Sequence, residues 1–461
     1  MEKLLKFYLF LLMVILLDHS AVALKLKKDE GKPNILLIIT DQQTADAMSC
    51  TGNRYVKTPA LDKLAASGVR FERNYVTQPL CLPFRSSLQT SRYPHEIGTV
   101  NNGVNITGDF PMLGNLVSEA GYKCDYIGKW HVGVDPEKAG YPDYDNVGVD
   151  DKKADAAKDY LLKKHDKPFF LTVSLMNPHN VCQLARADAD GSDLPDGPID
   201  LSPSNLDELP PLPKNFAVSE KEPSVLRKVQ KGSFKQYPTT NWDELTWRQY
   251  LWGYFRLVEK VDAEIGKILE TLNKSVYASN TLVIFTSDHG EGLAMHHWNQ
   301  KQILYDQVTR VPLIISWNGK SPDKVYPELV SNALDIPVTI LDIAGVEKPA
   351  SMLGQSLLPI LEGQSPKPRE FVVSETMFAE NEKPLGGTGR MIRTKRYKYC
   401  IYDTGENREQ LFDMENDPGE TNNLAYSAKF VGELALHRKL IAGWAKKTND
   451  TEFPYFKIVQ K

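Results

Sequence analysis

Residues 34–43 read NILLIITDQQ, and the reading of this stretch decides the fold. Residues 35–39 are unbroken Ile and Leu with no polar alternation, the pattern of a strand covered by helices on both faces. The run ends in Asp41 and Gln42, a carboxylate and an amide at a strand's carboxyl end. Open parallel sheets bind their ligands there. The same pair also reads as the N-cap of a helix that follows the strand.

Further apolar runs lie outward along the chain, at residues 126–127 with their flanks, 169–175, 282–285 and 311–315. They read as buried parallel strands. Between them Leu61, Leu64 and Ala65 share a helical face that stops at Gly68, and Leu113, Leu116, Val117 and Ala120 share one that stops at Gly121. Leu257, Val261, Ile265, Ile268, Leu269 and Leu272 form a longer amphipathic stripe. Alternation of this kind predicts an α/β fold, a doubly wound, mostly parallel sheet flanked by helices. Residues 32–362 are expected to form this domain. Residues 183–243, rich in Pro, Asp and Ser, read as an insertion with little regular structure that overhangs the site. Residues 363–461 read as a smaller antiparallel α+β subdomain of short strands, closed by a helix from about residue 430 to 446.

The polar residues gather where the strands end. YIG runs into Lys129 and His131, FFLTVSLMNP into His179, and TLVIFTS into Asp288 and His289. Together with Asp41 and Gln42 they suggest one convergent site. Asp41, Gln42 and Asp288 offer oxygen donors that suit a hard cation such as Ca²⁺ or Mg²⁺. His289 keeps zinc open as well. Cys81, in QPLCLPFRSSLQTSRYP, stands between Pro79 and Pro83, and Arg85 is read as the beginning of a helix. A cysteine at a helix N-terminus meets free N–H groups and positive dipole, an anion cradle. The plainer reading is a buried structural thiol.

Composition bounds the rest. With 461 residues and a net charge of -4, the chain lacks the basic footprint of a nucleic-acid binder. Lys3 and Lys6, an apolar run over residues 7–17 and Ala21-Val22-Ala23 read as a signal peptide over residues 1–23. The run is shorter than the roughly 20 residues a membrane span needs. Export without a membrane span after cleavage is expected, to a bacterial periplasm or beyond. The five cysteines leave one over if the others pair, and Cys81 is the one expected to stay out.

CLPFR resembles the Cys-x-Pro-x-Arg signature of the type I sulfatases, in which the cysteine is oxidised to formylglycine. GYKCDYIGKWHVG is similar to their second signature, and NILLIITDQQ, TPALDKLAASGVRFERNY, SDHGEGL and QLFDMENDPGETNNLA are also typical. The resemblance runs from about residue 33 to 444 and implies the alkaline phosphatase-like fold. It implies that Cys81, as a hydrated aldehyde, attacks sulfur and passes through a sulfo-enzyme intermediate. Asp41, Gln42, oxidised Cys81, Asp288 and His289 would hold one Ca²⁺ per chain. Arg85 would steady the modified residue, Lys129 and Lys301 would bind sulfate oxygens, His131 would take a proton, and His179 would protonate the leaving alcohol. His297 and Trp298 would either touch the sugar or be structural. The chain departs from the usual pattern at Phe84, often Ser or Ala, at Gln42, often Asp, and at His289, often Asn. The implied partners are a sulfated polysaccharide or oligosaccharide and the maturation enzyme that oxidises Cys81. A phosphodiesterase or phosphonate monoester hydrolase of the same superfamily, and a glycan-binding protein with unmodified Cys81, are the alternatives.

Overall fold

The computed structural model describes residues 31–453, apart from 188–190, 233–237 and 381–382. The expected signal peptide lies outside the described residues. The main sheet has eight strands: β1 Asn34–Asp41, β2 Val69–Tyr75, β3 Lys123–Gly128, β4 Asp143–Asp145, β5 Phe169–Pro178, β6 Thr281–Ser287, β7 Leu313–Trp317 and β8 Lys324–Ser331. Their order is β4-β3-β5-β1-β6-β7-β2-β8. β1 lies between β5 and β6 and runs parallel to both. The run at 311–315, expected to be a parallel strand, starts at Leu313 and is antiparallel to both neighbours, β6 and β2. A buried apolar run carries no record of its direction.

Side-chain alternation on β1 builds two cores. Ile35, Leu37 and Ile39 face one layer with Leu113, Val117, Ile336 and Ile340. Leu36 and Ile38 face the other with Val261, Ile265 and Ile268. The latter three belong to the 31-residue helix Glu244–Lys274, whose N-cap Asp243 accepts a hydrogen bond from Thr246 N. Both faces of the strand are therefore dry, as its unbroken apolar run requires.

Register brings the strand ends level. Asp41 of β1 pairs with Pro178 of β5, and Thr40 pairs with Ser287 of β6. His179 and Asp288 thus leave the sheet beside Asp41. Gly128 of β3 pairs with Ser174, and a Cβ on Gly128 would stand 2.1 Å from Ser174 O, so only glycine lets Lys129 turn off the sheet there.

The segment 183–243, expected to hold little regular structure, contains the helix Ser224–Gly232 and short 3₁₀ turns at Leu206–Glu208 and Pro238–Asn241. Asp196 anchors it. Its Oδ1 accepts from Asp150 N (2.7 Å) and its Oδ2 from Asn180 Nδ2 (2.5 Å). Buried Asp150 in turn accepts from Met176 N (2.6 Å), Asn177 N (2.8 Å) and Lys153 Nζ (3.0 Å). These bonds satisfy the backbone just before His179 and hold that histidine at the end of β5.

A second sheet is antiparallel, in the order β12-β11-β10-β9, with β9 Phe371–Glu380, β10 Lys383–Thr394, β11 Tyr397–Tyr402 and β12 Glu409–Asp413. The helix Val431–Lys447 packs Leu434, Ile441 and Trp444 against it. It joins the main body through shared apolar clusters and through polar contacts. Glu375 N donates to Thr77 O (2.7 Å), and His95 Nδ1 donates to Glu375 Oε1 (2.6 Å). His95 Nε2 also lies 3.1 Å from Thr448 O.

These contacts generate two predictions. Replacing Asp150 with Ala leaves Lys153 buried without its partner and is expected to cost about 3–5 kcal/mol in denaturant unfolding. Burial opposes protonation of His95, but Glu375 overrides it and raises the group from 6.5 to about 9. The folded state therefore binds this proton more tightly than the unfolded chain. The stabilisation is complete below about pH 6.5 and is lost as pH rises through about 9. The difference in thermal midpoint between the wild type and His95→Asn should shrink across that window.

Candidate active site

The helix Cys81–Thr90 begins at Cys81 itself, four residues before the expected start at Arg85. Cys81 and Arg85 share a face one turn apart. Cys81 Sγ lies 3.2 Å from His289 Nε2, 3.2 Å from Lys301 Nζ and 3.8 Å from Asp41 Oδ1. Phe84 points the other way, wholly buried in the core that also holds Leu88 and Leu113. The aromatic ring at this motif position is thus a packing residue in the folded chain.

Arg85 ties the floor of the site together. Its Nε donates to Asp288 Oδ2 (3.0 Å), and Nη2 donates to Asp41 Oδ2 (3.2 Å). Nη1 reaches Ser174 Oγ (2.7 Å) and Lys129 O (2.9 Å). All three ionised side chains are at most 1% exposed. A guanidinium suits this position because its planar fork meets two carboxylates at once.

One ligand atom from each of Asp41, Cys81, Asp288 and His289 lies within 4.8 Å of the others. Burial and the neighbouring Asp41 charge raise the Asp288 carboxyl to about 6. Asp41 and Asp288 already share Arg85, and with Cys81 and His289 their ligand atoms stand close enough together to surround a cation. Oxygen donors with a single imidazole fit a hard divalent ion better than a thiolate-rich zinc site does. Gln42 adjoins this group in a left-handed backbone conformation, φ +72°. Its backbone N donates to Asp288 Oδ1 (3.1 Å), and its Oε1 accepts from Lys301 Nζ (3.2 Å).

Cations crowd the other side. Lys129 Nζ is 2.5 Å from Asp41 Oδ2. Burial opposes the charge on Asp41, yet Lys129 and Arg85 hold its carboxyl well below the usual range. Burial and Asp41 both oppose a thiolate at Cys81, but Lys129, Lys301 and His289 outweigh them and hold the thiol well below its ordinary value. Burial, then Lys301, holds His179 well below 6.5, so its imidazole rests neutral. Cys81, Asp41, Asp288, His289 and Lys301 are buried, while Lys129, His131 and His179 are half-buried. The first group is a floor and the second a rim. His131 has a left-handed backbone, φ +44°, and its buried Nδ1 makes no hydrogen bond among the described residues.

His297 and Trp298 stand apart from this cluster. Trp298 is wholly buried beneath the Arg227 guanidinium, and its ring N–H donates to Lys301 O. The His297 ring packs 4.8 Å from Phe216 and 5.3 Å from Trp247. Both contacts brace the loop that carries Lys301. Glu291 stands in SDHGEGL but draws no role from the sequence, since a single acid after His289 has no periodic signal. It lies buried against Gln42. All five cysteines are free thiols.

The sulfatase family profile matches residues 33–346, and a profile described as N-sulphoglucosamine sulphohydrolase, C-terminal, matches residues 294–443. The chain is similar to a Delta 4,5-hexuronate-2-O-sulfatase of Bacteroides thetaiotaomicron, 31% identical over 450 residues, covering 91% of this chain and 90% of that protein. A solved 2-O GAG sulfatase superposes with a TM-score of 0.81 at 30% identity, covering 94% of this chain and 95% of the other. A phosphonate monoester hydrolase of Agrobacterium radiobacter shares the fold, with a TM-score of 0.73 at 21% identity over 90% and 96% of the two chains. At that identity the likeness speaks for the fold alone. The motif order, the strand-end cluster and the profile spanning residues 33–346 together lead to one conclusion: the chain belongs to the sulfatase family and is a sulfuric ester hydrolase.

Proposed function

We propose that this enzyme removes sulfate esters from a sulfated polysaccharide or its oligosaccharides, with Cys81 oxidised to formylglycine and one Ca²⁺ per chain. The observation that carries the reading is the buried meeting of Cys81 with Asp41, Asp288 and His289, faced by Lys129 and Lys301. The oxidised side chain supplies the hydroxyl that attacks sulfur. Asp41, Gln42, Asp288 and His289 would hold the cation, which would supply positive charge that favours ionisation of that hydroxyl and offsets the sulfate oxygens.

The remaining work falls to side chains. Lys129 and Lys301 place point charges against the sulfate oxygens. Arg85 keeps both carboxylates and the helix start in register. His131, at the rim with one ring nitrogen unpartnered among the described residues, accepts the proton released when the modified residue is regenerated. His179 rests neutral beside Lys301. The negative charge of an incoming ester offsets Lys301 and lets His179 hold a proton for the leaving oxygen.

The glycan reading is supported by the relatives, one named for a hexuronate 2-sulfate and the other for a 2-O GAG sulfate. Export fits the N-terminal pattern, and no helix among the described residues is long and apolar enough to cross a membrane. Export also fits an extracellular polymer as substrate. A maturation enzyme must reach Cys81 before its helix closes, because the folded residue is buried.

Chelation with EDTA is expected to abolish hydrolysis of nitrophenyl sulfate, and added Ca²⁺ to restore it. The same enzyme should turn over the sulfate ester well ahead of the matching phosphate ester, and the reverse preference would favour a phosphoryl hydrolase. His179→Ala should lower kcat about 10²–10⁴-fold on a sugar sulfate, whose alkoxide needs a proton. It should lower kcat far less on nitrophenyl sulfate, whose leaving group needs none. Equal losses on both would remove His179 from the role of acid.

A further inference from the structure

Gln42 stands where a carboxylate would serve a cation more directly, and an amide can present either of two ends. A second buried acid determines which. Glu291 is wholly buried, and its Oε2 accepts from Gln42 Nε2 at 2.6 Å. Its Oε1 accepts from Tyr250 OH (2.8 Å) and from Gln300 N (2.5 Å). Tyr250 comes from the helix Glu244–Lys274, so the carboxylate is held from a separate layer of the fold. The main chain of Gln42 is held as firmly, by Asp288 at its N–H and by Tyr254 OH at its carbonyl (2.9 Å). Only the sense of the amide remains to be set.

Two charged neighbours set it the same way. A carboxylate needs a donor, so Nε2 turns to Glu291. An ammonium needs an acceptor, so Oε1 turns to Lys301 Nζ, which itself lies 3.2 Å from Cys81 Sγ. The reversed amide would set oxygen against carboxylate and N–H against ammonium, each a loss of a charge-assisted bond. Cys182 Sγ, 3.3 Å from Nε2 and 3.5 Å from Oε1, tolerates either sense.

We propose that Glu291 is a positioning residue that holds the Gln42 amide with its oxygen towards the cation held by Asp41, Asp288 and His289. The inference rests on the reading of that cluster as a metal site. Glu291 touches neither metal nor substrate and acts through Gln42. Orienting partners of this kind are worth about 10–100-fold in metal affinity. The geometry also specifies a compensating pair. In E291Q the oxygen of the new amide stays with Tyr250 OH and Gln300 N, and its N–H₂ meets Gln42 Nε2, donor against donor. In Q42E/E291Q the same N–H₂ meets one oxygen of the carboxylate introduced at position 42, and the other oxygen of that carboxylate faces the cluster.

The test is calorimetric titration of CaCl₂ into EDTA-stripped, dialysed enzyme for the wild type, E291Q, Q42E and Q42E/E291Q. Thermal midpoints in EDTA report folding independently of metal. The expected result is a loss of about 10–100-fold in Ca²⁺ affinity for E291Q. Q42E, which sets two carboxylates together, should lose midpoint. The double variant should return to wild-type affinity or better. Wild-type affinity in E291Q, or a folded double variant no tighter than E291Q, overturns the inference while leaving the metal site standing. A wild type that binds no Ca²⁺ sinks the metal reading and the inference with it. If E291Q does not fold, Tyr250→Phe removes one donor to Glu291 and should weaken Ca²⁺ about 2–10-fold. Unchanged affinity there counts against the proposal.

Discussion

Arg85 lies between two buried carboxylates, and the site depends on that contact. Asp41 ends β1 and Asp288 follows β6, and register alone would bring them side by side. Two such charges in a dry interior repel one another. The guanidinium bonds to both and reaches on to Lys129 O and Ser174 Oγ, so one side chain links the neighbouring strand ends to the helix that starts at Cys81. Cys81, the start of its helix and the acidic pair are thereby held as one body. Removing the fork would leave two carboxylates uncompensated, and lysine, a point charge without the fork, is a poor substitute.

Around this floor the charge is divided by depth. Asp41, Asp288, His289 and Lys301 are buried beside Cys81, while Lys129, His131 and His179 stand at the half-buried rim. An ester entering from the rim meets Lys129 and the His131 and His179 imidazoles before it meets carboxylates. That order suits an anionic ester. The segment following His179 is fastened by Asp196 to Asp150 and Asn180, so rim and insertion are fixed to each other.

Much of this was legible in the sequence, and the reasons are physical. Asp41, Lys129, His131, His179, Asp288 and His289 each follow an apolar run, and buried strands announce themselves by composition. β2 and β8 escaped because each is part exposed and interleaves charges, as in VRFERNY and KVYPELVS. The direction of β7 was hidden because direction is a property of connections. Lys301 had no local pattern of its own in HHWNQKQ and rested on family resemblance alone. Glu291 was invisible in its role, since that role depends on a tyrosine about forty positions away and on a left-handed turn at Gln42. The helical content of the 183–243 segment was obscured by its prolines and aspartates, which flank the helix without entering it.

The most direct measurement relates chemistry at residue 81 to rate. Preparations matured to different extents can be digested, and the mass of the peptide carrying residue 81 gives the fraction present as aldehyde. Hydrolysis of a defined sulfated oligosaccharide should rise in proportion to that fraction and extrapolate to zero for the pure thiol. A fully thiol preparation as active as a matured one, or a fully converted one inert on sulfate esters, would contradict the account.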